Sequence, residues 1–228
     1  MSIAEKLTTV AENVPKVYEA GQKSEYDRFW DSYLRSGTNI YGAYMFAGQG
    51  WDDNTFKPNK NISVAATATG MFRQSIIKNL KECLGSYTLD LSGVTKASAC
   101  FGYMEVLTVV PKIDLSSLTT STYLFQDDTK LTTIEEIRVS EATTFTSASS
   151  FAGCTSLTHL IMTGTLATNG LDLHWSPLDK ESLLSILGVL QDKTSVGGTW
   201  KVTLGTENLA KLSDAEKAIA TQKGWTLV

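Results

Sequence analysis

Phe101, Phe125 and Phe151 stand 24 and 26 residues apart, and each is followed six positions later by a leucine (Leu107, Leu131, Leu157) and nine positions later by an aliphatic residue (Val110, Ile134, Leu160). This is an internal repeat, the mark of a chain that builds one structural unit several times. The copies read FGYMEVLTVVPKIDLSS, FQDDTKLTTIEEIRVSE and FAGCTSLTHLIMTG, and LDLSGV at 89–94 returns as IDLSSL at 113–118. Phe46 and Phe72, themselves 26 apart, carry the register upstream, with Phe72 preceding Phe101 by 29. Five copies are therefore expected from near residue 43, the first two degenerate, as terminal repeats are.

One copy offers about five apolar side chains, each contributing ~1.5–3 kcal/mol on burial. Fixing roughly 24 residues costs on the order of 1–2 kcal/mol apiece in backbone entropy, so a single copy cannot fold alone. Neighbouring copies must cover each other's open faces and pair their short extended segments. The expectation is an α/β solenoid, right-handed, with parallel strands along one side.

The flanks read differently. Residues 2–20 form a candidate helix capped by Ser2 and Glu5, with Ile3, Leu7, Val10, Val14 and Val17 on a heptad seam and a kink or break near Asn13, because Pro15 in a helix interior costs roughly 3 kcal/mol. The seam predicts a homo-oligomer, a trimer in preference to a dimer. A second helix after Gly21 carries an aromatic stripe of Tyr26, Phe29, Trp30, Tyr33 and Leu34. After the repeat, Ser176, Pro177 and Asp179 signal a helix start with Ser176 as its cap, 199–205 alternates as a strand, Ser213 and Glu216 make a capping box, and WTLV closes the chain as a strand. The expected organisation is an N-terminal helical segment for attachment and oligomerisation (1–37), a repeat domain (38–164) and a C-terminal βαβαβ cap continuing the sheet (165–228).

The net charge of -4 and the absence of any basic run give no footprint for wrapping phosphates, so nucleic acid is not an expected partner. No apolar stretch reaches the length of a membrane span, and the opening MSIAEKLTTV has an acidic residue where a signal peptide needs an unbroken apolar run. Cys83, Cys100 and Cys154 are odd in number and lack zinc-site spacing, which predicts buried, reduced thiols.

No catalytic or cofactor motif is present. His159 and His174 lack a nucleophile elbow and a third partner. Asp52–Asp53 and Asp127–Asp128 lack the alternating spacing of a calcium loop, and GTLATNG at 164–170 lacks the lysine of a phosphate loop. No metal, no cofactor and no enzymatic activity are expected. Asp90, Asp114 and Arg138 lie at matching positions 24 residues apart between apolar neighbours, and should project from one strand-lined face, either as a binding ladder or as its plain solvated side. Exposed aromatics such as Trp51 or Trp175 are candidates for stacking on a sugar.

The copies from 89 to 164, with F-x-x-C-x-x-L-x-x-L at 151–160 and the returning LDLS and IDLS, resemble the leucine-rich repeats of BspA-like bacterial surface proteins. The opening MSIAEKLTTVAENVPKVYEAGQKSEYDRFWDSYLRSG and the close LGTENLAKLSDAEKAIATQKGWTLV are similar to leucine-rich repeat proteins encoded by phages and prophages of gut Firmicutes. This resemblance implies a non-enzymatic virion protein, tail- or head-associated, assembled in the host cytoplasm. Its implied partners are other virion proteins and a host surface protein or glycan. The alternative is a bacterial cell-surface adhesin or protein-interaction module of the same type.

Overall fold

The computed structural model describes residues 39–40, 42–145 and 149–228. The heptad positions Ile3, Leu7, Val10, Val14 and Val17, and the aromatic stripe that follows them, lie outside the described residues. Strands β1 (Asn39–Ile40), β2 (Ile62–Thr67) and β3 (Leu89–Lys96) form one sheet. Strands β4 (Val109–Val110), β5 (Ile113–Asp114), β6 (Thr133–Val139) and β7 (His159–Gly164) form a second, and β8 (Trp200–Val202) with β9 (Trp225–Leu227) a third. Every pairing is parallel. Among the described residues four helices accompany them: α1 (Leu80–Leu84), α2 (Lys180–Val189), α3 (Thr206–Ala210) and α4 (Asp214–Thr221).

The repeat sets the register of the second sheet. The aliphatic residues nine positions after each phenylalanine face one another, Val110 opposite Ile134 and Ile134 opposite Leu160. One step on, Ile113 lies opposite Ile137 and Ile137 opposite Met162. All of these side chains are buried.

The phenylalanines stand in a column. Ring centroids are 5.3 Å apart from Phe46 to Phe72, 5.5 Å to Phe101, 5.0 Å to Phe125 and 5.4 Å to Phe151, all stacked and all fully buried or nearly so. Each ring brings ~1.5–3 kcal/mol of burial, and each aromatic pair roughly 0.5–1.5 kcal/mol beyond it. The backbone follows the same step: the amide N–H groups of Phe46, Phe72, Phe101 and Phe125 donate to the carbonyls of Met71, Cys100, Leu124 and Ser150, each the residue just before the next phenylalanine. A second row is made by threonines, whose hydroxyls at 108, 132 and 158 donate to the carbonyls of Lys78, Thr108 and Thr132. Short polar side chains thus satisfy backbone carbonyls where sheet pairing stops.

The expected α/β solenoid of leucine-rich repeats is not what forms. The strands divide among three separate mixed-length sheets, and few helices accompany them. Three local causes are visible. Pro111, with no N–H to donate, stands between β4 and β5, so that β4 pairs with the first half of β6 and β5 with the second. The longer spacing between Phe72 and Phe101 is taken up by α1, and there β3 and β4 do not pair; the isolated bridges Asn79–Val109 and Lys96–Thr120 and turn hydrogen bonds such as Ala97 N–H to Thr120 and Phe101 N–H to Leu124 cross the gap. Register shifts interrupt β2 against β3 and β6 against β7.

The expected βαβαβ cap also differs: β8 and β9 ladder only with each other, and the β8 segment is joined to the preceding chain by the isolated bridge Asp172–Thr203 and by the N–H groups of Leu173 and Lys201, which donate to the Thr203 carbonyl and the Asn169 side chain. The start of α2 shifts as well. Its N-cap is Asp179, whose carboxylate accepts the Ser182 N–H at 2.8 Å, while Ser176 is buried with its hydroxyl on the Cys154 carbonyl. A carboxylate at the cap also favours the helix dipole, and this outcompetes the serine three residues earlier. The Ser213–Glu216 capping box of α4 is complete in both directions.

Candidate functional site

The outer face of the second sheet collects most of the paired charge. In β6 the apolar residues Ile134 and Ile137 are three apart instead of two, and the register shift between them leaves Glu135 and Glu136 together on the polar side. Glu135 pairs with Lys81 of α1. Glu136 holds Lys112 at 3.0 Å and accepts the Thr163 hydroxyl of β7 at 2.8 Å. The Thr163 hydroxyl first, then Lys112, holds the Glu136 carboxyl below its usual range.

Asp114 and Arg138 sit directly opposite each other on β5 and β6, with 3.8 Å between their charged atoms. Thr163 continues that row on β7. Asp90 lies in the other sheet, opposite Ser63 of β2, and accepts that hydroxyl at 3.2 Å. The ladder of Asp90, Asp114 and Arg138 is therefore split: the structure brings the last two together and places the first apart. Asp90 and Asp114 nevertheless share one local device, each accepting the N–H of the serine two residues on, Ser92 at 2.9 Å and Ser116 at 2.8 Å. The hydroxyl and N–H of Ser92 keep the Asp90 carboxyl below its ordinary value.

At the lower edge of this face His159 of β7 and Asp179 are 2.8 Å apart. Burial raises the Asp179 carboxyl, but the Ser182 hydroxyl and N–H and the His159 ring outweigh it and leave it below the usual range. The face thus carries matched partners: Lys81 with Glu135, Lys112 with Glu136, Arg138 with Asp114 and His159 with Asp179. Half-exposed pairs of this kind contribute about 0–1 kcal/mol each to stability. Their consequence is a polar surface on which positive and negative groups stand in pairs.

Sequence reasoning missed Glu135, Glu136, Lys81, Lys112 and Thr163. A signal existed in TIEEIRV, where the doubled glutamate breaks the alternation and marks a bulge.

The remaining candidates disperse. His174 pairs with Asp172 and tilts against Trp175, which is 49 % exposed, whereas Trp51 is buried and cannot stack on a sugar. Asp52 caps its own turn through the N–H groups of Asn54 and Thr55, and Asp53 accepts the Lys78 N–H and the Cys83 thiol. Asp53 and Cys83 line a groove of about 400 Å³ with Lys57, Glu82 and Tyr87. Burial, and then the Asp53 charge, pushes the Cys83 thiol up to about 12, far from a reactive thiolate. Among the described residues no cluster of three or more His, Cys, Asp or Glu side chains is placed to hold a metal ion, and no helix is long and apolar enough to cross a membrane. Comparison with family models, curated proteins and solved structures returned no match.

Proposed function

We propose that this protein is a non-enzymatic virion component, tail- or head-associated, that displays a rigid polar surface to a host protein or glycan. The observation that carries the display reading is the outer face of β4 to β7, where paired charges are locked in register by strands whose inner side rests on the apolar core. A surface held this way loses little side-chain entropy on contact, which is what an adhesive face needs. The virion context rests on the similarity of the flanking sequences to phage-encoded proteins, with attachment and homo-oligomerisation assigned to 1–37.

Mass spectrometry of particles purified from an induced lysogen tests the reading. The protein is expected in the particles at a copy number in line with other structural proteins. Its absence from particles, with presence on the surface of the producing cell, would transfer it to the bacterial adhesins.

A further inference from the structure

The turns that carry the phenylalanine column have an outer edge that folding alone does not explain. Two residues before a column phenylalanine the backbone is left-handed at Tyr44 (φ 54°), Gly70 (φ 61°), Ala99 (φ 49°) and Tyr123 (φ 60°). Two residues after, it is left-handed at Gly48 (φ 88°), Gln74 (φ 60°), Tyr103 (φ 65°), Asp127 (φ 60°) and Gly153 (φ 78°). Hydrogen bonds stitch both sets into rows, Tyr44 N–H to Thr69, Gly70 to Ser98 and Ala99 to Thr122 in one, Gly48 to Arg73, Tyr103 to Gln126 and Asp127 to Ala152 in the other. Glycine occupies such a conformation without penalty, while a side chain with a Cβ loses roughly 1–2 kcal/mol there. Asparagine and aspartate are the usual tolerated substitutes; tyrosine is not.

Three tyrosines nevertheless stand on this edge. Tyr44 and Tyr123 are 48 % and 45 % exposed, so burial does not compensate their strain. Tyr103 is braced, its hydroxyl on Gln126 Oε1 at 3.0 Å and the Arg73 guanidinium 5.1 Å from its ring centre. The Tyr44 ring lies against Gly70, where an added Cβ would come within 2.4 Å of Cε1. Backbone strain retained at half-exposed aromatic side chains points to what they present outward.

We infer that this turn edge is a binding site for a neutral glycan. The inference rests on the display reading above and gives it a second face and a ligand class. Phenol rings offer flat apolar surface to the C–H face of a sugar ring. Tyrosine hydroxyls and the amides of Gln74 and Gln126 offer donors and acceptors to its hydroxyl groups. The chain's net charge of -4 disfavours a phosphate-rich polymer. The rows run alongside a column with steps of 5.0 to 5.5 Å, and Tyr44 and Tyr123 stand three steps apart with the small residues Gly70 and Ala99 between them, so a linear oligosaccharide can lie along the edge from one ring to the other.

The test uses the full chain on an array of neutral oligosaccharides, with the double variant Tyr44→Gly/Tyr123→Gly and the conservative pair Tyr44→Phe/Tyr123→Phe. Wild type is expected to bind at least one glucan, galactan, mannan or N-acetylhexosamine chain. The glycine variant should lose about tenfold or more in affinity with no fall in melting temperature, because glycine relieves the strain, and the phenylalanine pair should retain the larger part of binding. No binding by wild type, undiminished binding by the glycine variant, or a fall in its melting temperature would each overturn the inference. So would capture of a host surface protein through these tyrosines without any oligosaccharide binding. Array binding with the protein missing from particles would leave the glycan site standing and remove the virion reading; the reverse pattern would do the opposite.

Discussion

Gly164 closes β7 at a φ of 93°, with the Val139 carbonyl oxygen only 2.0 Å from where a Cβ would stand. Both the conformation and the space demand glycine, so Gly164→Ala should destabilise the protein by about 2–4 kcal/mol in denaturant unfolding. Gly188, inside α2 with nothing within 4 Å of an added Cβ, is the counter-case. Gly188→Ala should stabilise by about 0.5–1 kcal/mol. Asp128 is the residue whose chemistry is most altered by the fold. Burial raises its carboxyl well above the ordinary value, against the opposing Met104 N–H, with Asp127 adding to the rise; one oxygen accepts that N–H at 2.7 Å and the other has no hydrogen-bond partner among the described residues. Because the folded pKa exceeds the unfolded one, its contribution is fully present below the ordinary aspartate value of 3.8 and is lost as pH rises through the folded pKa. Asp128→Asn should therefore gain stability relative to wild type as pH rises from about 4 to about 8, measured by unfolding at each pH. A constant difference across that range would mean that Asp128 is ionised in the native state.

At the scale of elements, the phenylalanine column carries more than the strands do. Phe101 stacks on Phe72 at 5.5 Å and on Phe125 at 5.0 Å, and its N–H joins the turn ladder. Truncation there leaves a cavity where the two sheets meet without a strand ladder between them, so Phe101→Ala should cost about 3–5 kcal/mol by denaturant unfolding, and Phe101→Leu distinctly less. The column positions were legible from spacing alone, as were the buried aliphatics nine residues on and the α4 capping box. The division into three sheets was not, because it turns on features that a period does not carry. A proline between β4 and β5, five extra residues' worth of spacing absorbed by α1, and a bulge at Glu135–Glu136 each break pairing locally while leaving the apolar period intact. The candidate face was legible only in part for the same reason: Asp114 and Arg138 fell in register, whereas Asp90 fell on the far side of the break and Lys81 and Lys112 stand at positions that the spacing does not mark.

For the whole molecule, three small sheets would each be marginal by themselves, since two- to four-stranded sheets without a shared core bury too little surface. The core that joins them runs continuously from Phe46 and Trp51 through the column to Leu183, Ile186 and Trp225. Amide hydrogen exchange measures whether this core acts as one unit. The account predicts that the N–H groups of Phe72, Phe101 and Phe125, which join successive turns along the column, are among the slowest to exchange and share a single opening free energy equal to that of global unfolding. Distinct opening energies on the two sides of Phe101, with the first sheet unfolding while the second stays protected, would contradict it.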